Sequence, residues 1–425
     1  MSFLDSSYPP PLCHLGIDED DAGNHREHHQ EHPETATTSD PVPVPVIDLQ
    51  CLNDDEVLRR LDEACREWGI FRVVNHGVPA ALMAELEDLT KRLFWMSFES
   101  KKASCEGSPV SYFWGTPALT PSGTALSGGH RKINLVEGFN LPLSQLSEFH
   151  PRLPLLQSFR TRRSESKWMT TRLCTNKGNI DTQIHSHRAQ STGLIQSPPS
   201  QGRKLVPLDP RDFGKQNAFF VCEYLTTSLY RVAVLEYEEQ VARIATSLFK
   251  AMAKNLDDVS ILEKSSQYLS HKTANIRVYR YPRSPNNNNN NNTVASWGME
   301  PHTDSSVLSI LSPHTQDSSL EILNSYQWLP LQSIPNTLLV NIGDMMQAIS
   351  DDRYKSALHR VRISQEKERI SVCYFVFPDE EFVIGSSKYK PFSYSDFRAQ
   401  VQEDIKAIGY KVGLSRFTQT HHHHT

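Results

Sequence analysis

Three short stretches in the last third of the chain carry residues whose types and spacing could do chemistry together: His302-Thr303-Asp304, His359, and Arg369-Ile370-Ser371. Two imidazoles and one carboxylate suit a non-haem Fe(II) centre, because the remaining coordination positions stay open for small molecules. The shortage of thiolates argues against a structural zinc site. An arginine and a serine two residues apart suit a second task, holding the far carboxylate of a dicarboxylic co-substrate. Side chains two apart in a strand share a face, so His302 and Asp304 could reach one ion from one strand while His359 arrives from another. An isolated His-x-Asp recurs by chance, and its surroundings must carry the assignment.

Arg369 supplies such surroundings. It opens the apolar run Ile370 to Phe377, where a guanidinium without a partner is costly. A bidentate carboxylate makes its burial tolerable; an internal salt bridge to Asp or Glu is the competing reading. Ser371 falls on the same face, and Tyr281, closing an earlier apolar run, could add a third bond.

Short apolar runs at 274–281, 307–311, 320–323, 338–342, 360–363 and 370–377 read as strands of a double-sheet barrel or jelly roll. Upstream, the pattern predicts a strand at 43–49, a helix over 54–68 capped by Asn53 or Asp54, a buried strand at 70–75 and a helix from about 80 to 93. A further amphipathic helix spans 234–255. The predicted class is α+β with a mostly β core: a double-stranded β-helix (jelly-roll, cupin-like) with flanking helices and a helical N-terminal subdomain. The division is a disordered tail at 1–43, an N-terminal subdomain at 44–160, and a disordered or inserted segment at 161–217. Supporting helices at 218–272, the core at 273–417 and a tail at 418–425 complete it.

The chain has 425 residues, and its hydrophobic fraction of 38% and mean hydropathy of -0.48 are low for a chain folded throughout. Polar tails and insertions therefore dilute a globular body. A net charge of -5 offers no general field for nucleic acid or anionic lipid. The seven cysteines are scattered, without a CxxC pair, which predicts buried free thiols in a reducing compartment and no disulfide framework. No leader pattern or membrane-length apolar run is present, so a soluble, cytoplasmic protein is expected, with the nucleus as the alternative. The histidine-rich stretch His25 to His32 reads as solvated tail, the run Asn286 to Asn292 as a polar loop, and His421 to His424 as a terminal tail or tag. Segment 161–217 is basic and rich in Ser, Thr and Gln, with almost no aromatic interleaving of the kind RNA-binding arms use.

Several segments resemble the plant 2-oxoglutarate- and Fe(II)-dependent dioxygenases. They are Pro45-Val46-Ile47-Asp48-Leu49, Trp68 to Val78, Arg277-Val278-Tyr279-Arg280-Tyr281-Pro282, His302-Thr303-Asp304-Ser305-Ser306, Asn341 to Ala348, Asp352 to Ser356, His359-Arg360-Val361 and Arg369-Ile370-Ser371. The resemblance covers about 43–160 and 220–417. Within the family, Tyr112 to Pro117, Val136 to Phe139 and the tail Phe397 to Leu414 are most similar to gibberellin 2-oxidases. Two features depart from the pattern: Tyr279 stands where many members carry Asn, and members run from 160 to 220 in far fewer residues, as if this chain translated an intron there.

The resemblance implies Fe(II) held by His302, Asp304 and His359. It implies 2-oxoglutarate with its far carboxylate on Arg369, Ser371 and Tyr281, dioxygen as the other co-substrate, and ascorbate as reductant. The chemistry implied is oxidative decarboxylation to succinate coupled to hydroxylation of a gibberellin-like diterpenoid acid, by a monomer acting without nucleic acid or membrane. Trp114, Phe113, Phe139 and Phe375 are candidates for an apolar substrate wall or for plain core. The alternatives are a same-fold enzyme acting on a flavonoid or other specialised metabolite, and a non-catalytic splice product or binding relic, the latter motivated by 161–217.

Overall fold

The computed structural model describes residues 7–9, 43–105, 108–115, 134–148, 213–283, 297–313, 317–364 and 366–419, with side chains from 229 onward in the helix Phe213–Leu256. The His25 to His32 stretch, segment 161–212, the Asn286 to Asn292 run and His421 to His424 lie outside the described residues. The chain divides into one unit of 1–148 with 223–425 and another of 149–222. Among the described residues, every strand belongs to the first.

Eight strands form the larger sheet: β1 (Val46–Asp48), β2 (Ile70–Val74), β3 (Ser111–Trp114), β4 (Glu137–Pro142), β5 (Ser270–Tyr281), β7 (Leu308–Pro313), β10 (Leu338–Ile342) and β12 (Arg369–Phe377). Their order is β1-β2-β10-β7-β12-β5-β4-β3. A second sheet holds β6 (Trp297–His302), β11 (His359–Arg362), β8 (Leu320–Asn324) and β9 (Gln327–Pro330), in the order β6-β11-β8-β9. A Cβ built on Gly298 in β6 would lie 2.7 Å from the Tyr281 ring in β5, so the two sheets meet face to face there. This is the expected double-stranded β-helix.

Alternation along β5 separates two environments. Val278 and Arg280 share the outer face with Phe139, whose ring packs on Phe94 in the helix Ala80–Trp95. That helix buries Leu82, Leu86, Leu89 and Leu93. Arg277, Tyr279 and Tyr281 share the inner face, where their β12 neighbours across the ladder are Cys373, Ser371 and Arg369. Apolar periodicity in the helix Phe213–Leu256 continues past the predicted start: Tyr230, Ala233, Val234, Tyr237 and Val241 are all buried.

The first predicted helix forms at Asp55–Glu63, with Asp54 as the cap that accepts from the Glu56 amide. It runs on as a π turn over Ala64–Trp68 and stops at Gly69, whose φ of 68° suits glycine. Two strands not foreseen, β3 and β4, extend the sheet beyond β5 and enclose a buried ionic group. Lys101 Nζ lies 2.6 Å from Glu137, and Arg280 lies 3.2 Å from Glu137 and 2.8 Å from Glu368. Tyr8, from the segment expected to be a disordered tail, donates to Glu368 at 2.7 Å and places its ring 3.7 Å from the Arg280 guanidinium. Two cations facing two carboxylates make this burial tolerable.

One close approach shapes the later site. A Cβ on Gly343 would sit 2.0 Å from the Ser306 carbonyl oxygen. Gly343→Ala is expected to destabilise the protein by about 1–3 kcal/mol, because backbone must move to admit the methyl group. Urea unfolding of the variant against wild type measures it.

Candidate metal and co-substrate site

The β6–β11 ladder places His359 directly opposite His302, and their ring centroids are 4.2 Å apart. Each imidazole has its Nδ1 on a backbone carbonyl two residues upstream, His302 on Glu300 at 2.7 Å and His359 on Ala357 at 3.0 Å. Those contacts put the proton on Nδ1 and leave both Nε2 lone pairs free to ligate.

Asp304 completes the group, but differently from the sequence-based expectation. β6 ends at His302, so Asp304 lies in the following turn and not two places along a strand. Its Oδ1 is 3.9 Å from His302 Nε2 and 3.8 Å from His359 Nε2. All three ligand atoms lie within 4.8 Å of one another. Both separations from Asp304 are below about 4.2 Å, twice a typical metal–nitrogen bond, so one ion could contact these atoms. The other carboxylate oxygen receives Asn341 Nδ2 of β10 at 3.2 Å. The larger sheet thereby holds the carboxylate while the smaller sheet supplies the imidazoles.

Electrostatics match this donor set. Burial and the neighbouring His359 push His302 down to about 3, so its ring is neutral near pH 7. Burial alone would raise Asp304, but the two imidazoles and hydrogen bonds from Ser309 and Asn341 outweigh it and lower the carboxyl below its ordinary value. A neutral His302 ring beside an ionised Asp304 carboxylate suits a divalent cation.

Arg369 and Tyr281 stand opposite each other at the β12–β5 ladder, with Ser371 next on the same inner face. The competing salt bridge is present: Arg369 Nη1 lies 2.7 Å from Asp317 Oδ1, and both side chains are buried. It does not satisfy the guanidinium, since Arg369 Nε is buried with no hydrogen-bond partner. Burial, with Tyr279 nearby, pushes the Tyr281 phenol well above its ordinary value, so it remains a proton donor.

Of the aromatic residues named from sequence, Phe113 packs edge-on against Tyr279 at 5.9 Å and Phe375 lies on the inner face of β12. Phe139 contacts Phe94 and Tyr112, and Trp114 contacts Phe98, which makes both core on the outer side. Sequence reasoning missed Arg277, although its spacing of four from Tyr281 in an alternating strand marks it as inner-facing. Arg277 Nε donates to Asn140 at 3.0 Å, and its guanidinium lies 5.2 Å from the Phe375 ring centroid. Asn341, Asp317 and Lys411 were also missed; each reaches the site from a distant segment and leaves no local pattern.

Residues 44–152 match the family model of the non-haem dioxygenase N-terminal region described from morphine synthesis, and residues 272–378 match that of the 2OG-Fe(II) oxygenase superfamily. Gibberellin 2-beta-dioxygenase 8 of Arabidopsis thaliana is 27% identical over 386 residues, 88% of this chain and 87% of that protein. Flavonol synthase/flavanone 3-hydroxylase of Matthiola incana is 24% identical, over 83% of this chain and 96% of its own. Among solved structures, JOX2 in complex with 2OG, Fe and JA superposes with a TM-score of 0.56 at 21% identity, covering 91% of this chain and 93% of the other. No helix among the described residues is long and apolar enough to cross a membrane. With the jelly-roll fold, a His-Asp-His group at the meeting of its sheets and both family models matched in order, the chain belongs to the 2-oxoglutarate- and Fe(II)-dependent dioxygenases, oxidoreductases that use Fe(II) and 2-oxoglutarate.

Proposed function

We propose that His302, Asp304 and His359 hold Fe(II), that Arg369 with Ser371 and Tyr281 holds the far carboxylate of 2-oxoglutarate, and that the substrate is a gibberellin-like diterpenoid acid hydroxylated at the 2-beta position. The observation that carries the co-substrate assignment is the buried, unpartnered Nε of Arg369 on the inner face. A carboxylate arriving there would satisfy a donor that Asp317 leaves open. Bound iron, with 2-oxoglutarate and dioxygen, supplies the oxidising power for the hydroxylation. The chain itself orients the imidazoles through Glu300 and Ala357 and keeps the Tyr281 hydroxyl protonated.

Arg277 supports an anionic substrate. Its guanidinium shares the inner face with Tyr279 and Tyr281 and lies beside Phe375, a combination suited to a carboxylate joined to an apolar skeleton. The likeness to gibberellin 2-beta-dioxygenases supports the same choice. A flavonoid is the second reading, favoured by the likeness to the Matthiola incana enzyme. The domain division proposed with this function keeps 273–417 as the core and 161–217 as an added segment; the separation of 149–222 as its own unit supports it.

His302→Ala and His359→Ala are each expected to abolish Fe(II)-dependent decarboxylation of 2-oxoglutarate, and retained activity would remove that ligand. Arg369→Ala should raise the KM for 2-oxoglutarate about 10- to 100-fold, the effect of losing a charge-assisted pair. Mass-spectrometric turnover of a panel of gibberellins and flavonoids tests the substrate: hydroxylated gibberellin is expected, and turnover of flavonoids alone would overturn the choice. Arg277→Gln should raise the gibberellin KM about tenfold, and an unchanged KM would remove Arg277 from substrate recognition.

A further inference from the structure

Both imidazoles of the proposed triad are fixed by strand pairing, whereas Asp304 sits in a turn and needs another restraint. That restraint comes from two distant segments. Three carbonyls of the turn accept backbone amides at the start of the helix Asp344–Ile349: Asp304 O from Asp344 N at 2.8 Å, Ser306 O from Met345 N at 3.1 Å, and Val307 O from Gly343 N at 3.1 Å. The residues immediately flanking Asp304 are held by one side chain from the C-terminal segment. Lys411 Nζ donates to Thr303 O at 2.6 Å and to Ser305 Oγ at 3.3 Å, and its third contact is Asp344 Oδ2 at 2.7 Å.

An ammonium group has three donors, and here each has an acceptor. Lys411 and Asp344 are both largely buried, and the carboxylate neutralises a cation that would otherwise stand uncompensated beside a divalent ion. The delivery of Lys411 is itself built in. The helix Tyr394–Ile408 ends at Gly409 in the left-handed region, and Asp404 then holds the returning chain through the Val412 amide at 3.3 Å and Arg416 Nε at 2.9 Å. Gly413, at φ +74°, lets the chain pass Asp344 and Lys411 closely. Phe397 lies beneath the ammonium, 5.9 Å from its centroid.

We propose that Lys411 is a positioning residue for Asp304, so that metal retention depends on a lysine more than a hundred residues downstream, carried by the C-terminal segment. Asp344 is its counter-ion. The pair acts through the backbone on either side of the ligand and not by touching the metal. This rests on the triad reading above, and removing an outer partner of that kind weakens metal binding by about 10- to 100-fold in metalloproteins.

The test is the Kd for Mn(II), measured calorimetrically on the full-length protein alongside the melting temperature of the metal-free form. Lys411→Met made together with Asp344→Asn, so that no buried carboxylate is left without a counter-ion, is expected to raise the Kd at least about tenfold with little change in melting temperature, and Lys411→Arg to restore most of the affinity. Lys411→Gln, which keeps a donor towards Thr303, serves where the methionine variant fails to fold, and a severalfold loss is expected of it. An unchanged Kd in the double variant or in Lys411→Gln overturns the proposal. So does a loss of affinity that follows melting temperature across the three variants, since a general brace would behave that way. His359→Ala separates this from the triad reading: wild-type Mn(II) binding in that variant defeats the ligand assignment itself, whatever Lys411 does.

Discussion

The register between β6 and β11 is the constraint on which the rest of the site depends. Pairing His359 with His302 puts both imidazoles on one face of the smaller sheet with their Nδ1 atoms already engaged. A slip of one residue would turn one ring to the opposite face. The register is supported from outside: Arg360, one place along β11, is sandwiched between Trp297 and Trp328 at 4.6 and 3.9 Å and paired with Glu321 at 2.6 Å. These outward contacts fix the strand, and the strand fixes the inward histidine.

The larger sheet contributes in a complementary way. Its inner face carries Arg369, Ser371, Tyr279, Tyr281 and Arg277 in adjoining registers of β12 and β5, while Asn341 of β10 reaches Asp304. Charge therefore concentrates between the sheets, where each group needs a partner. The imidazoles meet Asp304, Arg369 meets Asp317 through Nη1 while its Nε stays without a partner, and Arg277 meets Asn140. The two proposed ligand tasks, metal and dicarboxylate, occupy the places where this pairing is incomplete. Such groups are costly to bury unless something binds there, which is the physical reason for reading them as a site.

Much of this was legible in the sequence. Strand periodicity located β5, β7, β8, β10, β11 and β12 to within a few residues, and the residues His302, Asp304 and His359 do converge. Arg369, Ser371 and Tyr281 share the inner face as alternation requires. What escaped was either short or non-local. β3 (Ser111–Trp114), β4 (Glu137–Pro142) and β9 (Gln327–Pro330) mix polar residues, glycine or proline with their few apolar ones, so no apolar run announces them. Asp304 was read onto a strand because a two-residue spacing cannot distinguish a strand end from a turn. Asp317 and Lys411 each act across tens of residues of sequence, and no local pattern of apolar residues encodes a partner that only the fold brings near. Tyr8 is similar: composition placed it in a polar tail, and its contact with Arg280 depends on a group gathered from β4, β5 and the helix Ala80–Trp95.

The most direct test of the central claim is a crystal structure of the full-length protein grown without oxygen in the presence of Mn(II) and 2-oxoglutarate. One anomalous-scattering peak is expected within bonding distance of His302 Nε2, His359 Nε2 and an Asp304 oxygen, with the far carboxylate of 2-oxoglutarate against Arg369. Manganese bound elsewhere, or 2-oxoglutarate seated away from an Arg369 that keeps Asp317 as its sole partner, would contradict the account.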